Sequence, residues 1–141
     1  MRAVISRVCS ASVTVDGVVV AELAEPGLLV LLGVGRDDEA GAAQTMARKI
    51  AELRLLREER SAAETAAPVL VVSQFTLYGD TRKGRRPSWS QAAGPEHANA
   101  LIEAVVGELR ARGVPTQTGR FGADMTVASV NDGPFTVLVH T

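Results

Sequence analysis

The sequence has very few of the side chains that build metal centres and disulfides. Its 141 residues include one cysteine, Cys9, and two histidines, His97 and His140. A single cysteine excludes an internal disulfide, and the set is too small for a zinc site built from cysteine and histidine ligands. Cys9 lies in a segment of strand composition, so we expect a small buried side chain rather than a reactive thiol.

The sequence also lacks long hydrophobic runs and an excess of charge of one sign. Its longest apolar run, GLLVLLGVG at 27–35, is too short to span a bilayer, and no hydrophobic signal-peptide core precedes the second arginine. We therefore expect a cytoplasmic protein with no membrane partner. The formal net charge of −1 gives no global electrostatic reason for binding nucleic acid.

Common signatures of nucleotide-binding and hydrolytic enzymes are absent. There is no phosphate loop of the GxxxxGKS/T type, no GxSxG elbow and no pair of neighbouring histidines. Gly33-Val34-Gly35 supplies half of a dinucleotide-binding fingerprint, but Asp38 stands where the third glycine should fall. The sequence thus offers none of the usual hydrolase motifs.

The composition is that of one globular domain spanning residues 1–141, with 46% apolar and 22% charged residues. Asp16-Gly17 predicts a hairpin turn, and GLLVLLGV predicts a strand buried on both faces. Segments of strand composition are RAVISRV, ASVTVDGVVVAEL, GLLVLLGV, PVLVVSQFTLYGD, VPTQTG, ADMTVASV and FTVLVH. The segment SAAETAA at 61–67 is interpreted as a low-complexity connection.

Two amphipathic helices complete the pattern. Asp37 or Asp38 is expected to cap a helix that runs to about residue 54, and a second helix begins near Pro95 and stops at Gly113. Only two helices accompany many strands, so we expect an α+β domain in which the helices pack on a largely antiparallel sheet or an open barrel.

The C-terminal VNDGPFTVLVHT at 130–141 places a Gly-Pro pair between two runs of strand composition. A tight turn centred on Asp132 and Gly133 fails because Pro134 has no N–H to close it. A hairpin turn at Asn131 and Asp132 is allowed, with Pro134 near the start of an edge strand. The residues alone permit a turn without requiring one.

A local cluster of positive charge follows the strand at 68–80. TRKGRRP carries Arg82, Lys83, Arg85 and Arg86 around one glycine. Such clusters are more often solvated loops than binding sites. The position of this one, directly after a strand that ends in hydroxyl and amide side chains, favours a binding role.

Four motifs together resemble a known family. They are SQFTL at 73–77, TRKGRRPS at 81–88, GRFGADM at 119–125 and NDGPFT at 131–136, and the opening MRAVISRV fits as well. In this order they are similar to the stand-alone D-aminoacyl-tRNA deacylases, also called D-tyrosyl-tRNA deacylases, over nearly the whole chain. REERSAAETAAP at 57–68 departs from the family's pattern, which is longer here, so a hairpin is expected to be shortened or lost.

The resemblance implies a homodimer that hydrolyses the ester joining a D-amino acid to the terminal adenosine of tRNA, without a metal ion or cofactor. It implies that Gly133-Pro134 is a cis peptide that reaches into the partner's active site and refuses L side chains. Arg7 would hold that motif in place, with an exposed strand-end arginine as the alternative. Steric exclusion by the backbone cannot act on glycine, which has no side chain, so glycyl-tRNA is an expected substrate too.

The resemblance also assigns the floor of the pocket to the SQFT motif. Ser73, Gln74, Phe75 and Thr76 alternate faces on a regular strand, so they share a direction only if the strand bends or ends there. Thr76 has no neighbouring base, which favours water assisted by the 2′-hydroxyl of the terminal adenosine as the nucleophile. Local hydrogen bonding at a strand end is the alternative role for Ser73 and Thr76.

The remaining assignments concern the RNA and the pocket wall. The resemblance implies that the four cations of TRKGRRP contact phosphates of the tRNA acceptor end. Trp89 either stacks on a base or anchors the core, and Met125 either lines the pocket or packs inside. A non-catalytic RNA-binding module and an esterase for small D-amino acid esters are the competing functions.

Overall fold

Six strands and three helices follow one another in the computed structural model, which describes residues 1–141. They are β1 (Arg2–Val15), β2 (Val18–Leu23), β3 (Gly27–Gly33), α1 (Ala40–Glu52), α2 (Ala62–Thr65), β4 (Val69–Ser73), α3 (Pro95–Ala111), β5 (Thr116–Thr118) and β6 (Thr126–His140). Short 3₁₀ turns lie at Arg57–Glu59 and Phe75–Tyr78. No helix has the length and apolar character needed to cross a membrane.

The sheet is built around β1. β3 and β2 pair with successive parts of one edge of β1, and β6 pairs along the other edge. All three pairings are antiparallel. β4 adds to β3 and β5 adds to β4 in parallel, so helices are needed to return the chain across the sheet. The expected α+β domain with an open barrel is confirmed, and the parallel pairs make the sheet mixed rather than wholly antiparallel.

A side chain nearly closes the barrel between its end strands. Gln117 on β5 accepts from the backbone N–H of Glu22 on β2 at 3.0 Å and donates to the carbonyl of the same residue at 2.7 Å. At the other end of β2, Asp16 and Gly17 both take positive φ, 50° and 78°, as a two-residue hairpin turn with matching twist requires. The hairpin prediction is therefore confirmed.

The core lies on both faces of β3 and β4. Leu28, Val30 and Leu32 face a layer that includes helices α1 and α3, whereas Leu29 packs with the barrel interior beside Leu70. Residues buried on both sides explain why GLLVLLG shows no alternation of apolar and polar positions, as predicted.

The helix boundaries follow the sequence in one case and not in the other. α3 begins with Pro95 at its first position and ends before Gly113, whose φ of 77° suits a helix terminus, as expected. α1 begins at Ala40 without a side-chain cap, so the expected cap by Asp37 or Asp38 is wrong. The segment 61–67 contains α2, where Ser61 and Glu64 form a reciprocal capping box that the sequence reasoning missed.

Asp38 does not cap α1 because its carboxylate accepts hydrogen bonds from other groups, two of them distant in sequence. One carboxylate oxygen accepts from the Met1 ammonium at 2.6 Å, and the other accepts from the Gly35 amide at 2.6 Å and the Tyr78 hydroxyl at 3.1 Å. Burial alone would raise the pKa of the Asp38 carboxyl, but the hydrogen bonds from the ammonium and from Gly35 together hold it below its usual range. Asp38 thus joins the start of β1 to the turn that follows β4.

Cys9 is exposed, so the expectation of a buried side chain is wrong. The register between β1 and β6 shifts between Val8 and Ser10, and this irregularity interrupts the alternation of β1. Val8 and Ala11 are buried on either side of the shift, which leaves Cys9 on the outer surface.

Asp38→Asn tests the junction at the start of β1. Asparagine keeps the shape but removes the charge that pairs with the Met1 ammonium, so we expect the free energy of unfolding at pH 7 to fall by roughly 1–2 kcal/mol. The folded-state pKa lies below 3.8, so the stabilisation is present above that value and is lost as the pH falls through the folded pKa. The difference between parent and variant in urea midpoint should shrink below about pH 4.

Asp37→Asn is the matched control, because Asp37 is 84% exposed and pairs with its neighbour Arg36. Surface substitutions of this kind change stability by about 0.5 kcal/mol or less. Equal urea midpoints for the two variants at pH 7 would contradict the anchoring role of Asp38.

Candidate functional site

A cavity of about 630 Å³ opens where β4 ends. It lies between that strand end, the first turns of α3 and the segment 121–127. Its wall is mainly apolar and includes Leu32, Val34, Val72, Ala98, Ile102 and Val127. A cavity of this size with a few polar groups in an apolar wall is typical of small-molecule sites.

The SQFT motif contributes to the cavity because the strand stops within it. β4 ends at Ser73, Gln74 leaves strand geometry with ψ of 81°, and the chain enters the 3₁₀ turn at Phe75. With the alternation ended, Ser73, Gln74 and Phe75 all line the cavity. Thr76 is not in the wall; its hydroxyl accepts a hydrogen bond from Gln74 Nε2.

The glycines of Gly33-Val34-Gly35 serve packing rather than nucleotide binding. A Cβ on Gly35 would stand 2.7 Å from the Tyr78 ring, and one on Gly33 would stand 2.9 Å from the Gln74 carbonyl oxygen. Burial, followed by the charge of Asp38, raises the pKa of Tyr78 to about 12, so this phenol stays protonated near neutral pH. The two glycines let the turn after β4 settle onto the end of β3.

Met125 both lines the cavity and packs inside the barrel. It is partly buried against the barrel-interior core, and its sulfur occupies the space that a side chain at Gly119 would fill, 2.6 Å from such a Cβ. The two alternatives for this methionine are therefore compatible.

The basic loop begins and ends close to the cavity. Asp80 and Ser88 exchange two backbone hydrogen bonds, of 2.8 and 2.9 Å, and close the loop just before Trp89, which lines the cavity. Arg82 donates to the Asp80 carboxylate, and this hydrogen bond lowers the pKa of Asp80 to about 2. Lys83, Arg85 and Arg86 are exposed and have no carboxylate partner. Three of the four predicted cations are thus free.

The two C-terminal runs form one strand rather than a hairpin. Ser6 pairs with Thr136 and Val8 pairs with Asn131, so residues 132–135 bulge out opposite Arg7. The hairpin at Asn131 and Asp132 is therefore wrong, because both runs pair with β1. The bulge requires a φ of 125° at residue 133, a conformation that favours glycine.

Every peptide bond is trans, including that of Gly133 and Pro134, so the expected cis bond is not present. The trans form is the lower in energy for most X-Pro pairs, by about 0.5–1 kcal/mol, and it fits a chain that continues as a strand on both sides of the bulge. Gly133 and Pro134 are exposed, and neither lines the cavity of their own chain.

Arg7 lies against the bulge. Its Nε donates to the Asp132 carbonyl at 3.1 Å and stands 3.2 Å from the Asp132 carboxylate, and its guanidinium lies 4.7 Å from the centre of the Phe135 ring. The side chain is only 13% exposed, so it is not the exposed strand-end arginine considered as the alternative. Its role in any reaction stays a prediction.

Comparison with known proteins places these features in a family. Residues 4–140 match the family model described as D-Tyr-tRNA(Tyr) deacylase. The chain belongs to this family. Proteins named D-aminoacyl-tRNA deacylase are 59% identical in Kineococcus radiotolerans, over 99% of both chains, and 58% identical in Acidothermus cellulolyticus, over 99% of this chain and 98% of the other.

Two solved structures share the deacylase-family fold. One, described as c-Myc DNA Unwinding Element Binding Protein, is 35% identical with a TM-score of 0.92, over 100% of this chain and 99% of the other. The second, described as a probable eukaryotic D-amino acid tRNA deacylase, is 17% identical with a TM-score of 0.83, over 99% and 98%, and supports the fold alone.

In this deacylase-family chain, Arg57 is a contact that sequence reasoning missed. Its Nε and Nη2 donate to the two carboxylate oxygens of Asp132, at 3.1 and 2.5 Å. The segment at 57–68 forms no hairpin; it turns sharply, with Glu58 and Glu59 at φ of 59° and 53°, and then enters α2. No sequence pattern signals a pair 75 residues apart, so only the fold reveals that Asp132 lies between two arginines.

Arg57→Ala tests whether this arginine holds the bulge. The hydrogen bond from Arg57 is the main cause of the lowered pKa of Asp132, so we expect that pKa to rise toward 3.8 in the variant. Arg60→Ala is the matched control, because Arg60 pairs with Glu64 instead. An NMR titration of the Asp132 carboxyl carbon measures both, and the same pKa in parent and Arg57→Ala would show that the pair is absent in solution.

Proposed function

We propose that the protein is a D-aminoacyl-tRNA deacylase, which cleaves the ester between a D-amino acid and the terminal adenosine of tRNA and releases both. The observation that carries the proposal is the cavity walled by Ser73, Gln74 and Phe75 in a chain of this family. The full-length relatives that bear this enzyme name support it. Residues 1–141 act as one catalytic domain in the cytoplasm, and the proposed reaction requires no metal or cofactor.

The proposed chemistry relies on positioning. An aminoacyl ester is already activated, and the nucleophile is water assisted by the 2′-hydroxyl of the terminal adenosine. The amide of Phe75 is the proposed donor to the oxyanion, because Phe75 lines the cavity and its amide stands at the start of the 3₁₀ turn, where it has no partner within the turn. The Thr76 hydroxyl is not the nucleophile in this scheme, since its hydrogen-bond partner is an amide and not a base.

The proposed chiral filter belongs to a second copy of the chain. Gly133 and Pro134 lie outside their own chain's cavity, so they act on substrate only from a partner subunit. Exposed apolar side chains on β6, Val130 at 56% and Leu138 at 70%, support a homodimer that covers this strand. In the dimer, the bulge held by Arg7 and Arg57 would present fixed backbone groups to the α-carbon of the substrate and clash with an L side chain.

The basic loop would contact the acceptor end of the tRNA. Arg82 is neutralised by Asp80, so the proposed phosphate contacts come mainly from Lys83, Arg85 and Arg86. Their position next to the cavity supports this assignment, because the aminoacylated 3′ end must enter there.

The decisive experiment compares D-tyrosyl-tRNA with L-tyrosyl-tRNA at equal enzyme. We expect hydrolysis of the D form alone. A non-catalytic nucleic-acid-binding module is the second candidate, favoured by the 35% identical structure described as a DNA-binding protein, and such a module would cleave neither substrate. An esterase that ignores RNA would cleave a minimal D-tyrosyl ester as efficiently as the tRNA, and would replace the proposal with that simpler activity.

Glycyl-tRNA tests how the filter works. Glycine has no side chain to clash with the partner's bulge, so we expect glycyl-tRNA and D-alanyl-tRNA to be cleaved while L-alanyl-tRNA survives. A hydrophobic contact with one methyl would separate the substrates by only about 10–200-fold, whereas a clash with held backbone separates them further. Single-turnover rates for the three substrates provide the measurement. Survival of glycyl-tRNA alongside the L-alanyl form would mean that the pocket binds the D side chain instead.

A further inference from the structure

Trp89 is an aromatic side chain that is fixed on one side and open on the other. It is 43% exposed and belongs to neither core cluster, so it is not the core anchor that its sequence position suggested. Its ring packs on the backbone of Gly79, where a Cβ would lie 2.7 Å from Cζ3. The neighbouring backbone is tied to the end of β3 through a hydrogen bond of 3.0 Å from Arg36 N–H to the Gln91 carbonyl.

Phe75 extends this aromatic surface from the cavity outward. Its ring centre lies 5.3 Å from that of Trp89, with the planes at 73°, and Phe75 itself is 56% exposed. Both side chains line the cavity, so together they form its rim. Despite this edge-to-face contact, Trp89 keeps 43% of its surface exposed, so much of the indole is open to a flat partner.

The charge beside this rim is positive. The loop that ends immediately before Trp89 carries Lys83, Arg85 and Arg86 without carboxylate partners. Exposed aromatic rings next to a stretch of free cations are the combination that single-stranded nucleic acids require, because bases stack on the rings while phosphates meet the cations. An apolar protein partner would gain nothing from three unpaired cations.

We infer that Trp89 is a base-stacking subsite for the unpaired 3′ end of RNA, holding the nucleotide that precedes the terminal adenosine. This inference rests on the proposed function for its direction: the aminoacyl-adenosine occupies the cavity, and the preceding nucleotide leaves past the rim formed by Phe75 and Trp89. Its phosphate then lies toward the loop. The subsite reads no sequence, since every base has a face that can stack.

Trp89 is the one tryptophan of the chain, so its fluorescence reports directly on this subsite. We expect the trinucleotide CCA to quench the emission, and the same trinucleotide with an abasic middle position to bind more weakly and quench less. Equal affinity and equal quenching by the two probes would overturn the inference, because the phosphates alone would then account for binding.

Variants separate stacking from folding. Measured by anisotropy with a labelled CCA probe, Trp89→Leu should weaken binding on the order of tenfold, the loss expected for one stacked base, whereas Trp89→Phe retains a ring and should retain most of the affinity. Circular dichroism checks the fold of both variants. Val19→Ala, an exposed apolar residue of β2, is the matched control and should bind as the parent does. Equal affinity of Trp89→Leu and the parent would also overturn the inference.

A salt series distinguishes the two parts of the surface. Replacing Arg85 and Arg86 with alanine should flatten the dependence of affinity on salt for both probes, whereas Trp89→Leu should lower affinity and leave the slope unchanged. A slope that changes in Trp89→Leu would place the residue's effect in the loop and contradict stacking.

The stacking subsite and the deacylase activity can be refuted separately. Hydrolysis of D-tyrosyl-tRNA together with an unaltered CCA affinity in Trp89→Leu would remove the subsite and keep the deacylase. Base-dependent quenching without hydrolysis of any aminoacyl-tRNA would keep the subsite and remove the deacylase. In the enzyme, Trp89→Leu should lower kcat/KM more for D-tyrosyl-tRNA than for D-tyrosyl-adenosine, which has no preceding nucleotide; equal losses would count against stacking.

Discussion

The backbone hydrogen bonds between β1 and β6 extend from Arg2 and His140 at one end to Thr14 and Thr126 at the other. This pairing brings the C-terminal residues beside the N-terminal strand, and the mismatch in its middle pushes residues 132–135 out of the ladder. The bulge at residues 132–135 therefore results from the register in which β6 pairs with β1. Since β1 also pairs with β2 and β3, a change in that register would disturb the barrel and the bulge together.

Features that depend on neighbouring residues were predictable from the sequence. The Asp16-Gly17 turn follows from the need for two positive φ values, and the limits of α3 follow from Pro95 and Gly113. The cap expected at Asp37 or Asp38 was wrong because the Met1 ammonium, at the start of β1, and the Tyr78 hydroxyl both donate to the Asp38 carboxylate instead. Local rules describe what a side chain can do, and the fold decides which partner it meets.

In the candidate site, too, the sequence motifs predicted some residues, whereas other contacts depend on the fold. The SQFT floor and Met125 were assigned through family motifs, and the cavity brings most of them together because β4 ends inside the motif. Arg57 was invisible in the sequence, since its contact with Asp132 depends on a turn with two residues in the left-handed region. The trans bond at Pro134 also shows that backbone geometry at a bulge does not follow from a motif.

The closure of the barrel by Gln117 has a consequence for motion. β2 and β5 are joined there by a side chain and not by a ladder of backbone bonds, so the barrel has a seam. Proteins open locally where the fewest bonds must break, and the seam meets that condition better than the continuous pairing of β1 with β3 does. The chain that leaves β5 forms the cavity wall carrying Phe121 and Met125. We therefore expect local opening between β2 and β5 to displace this cavity wall before the pairing of β1 with β3 is lost.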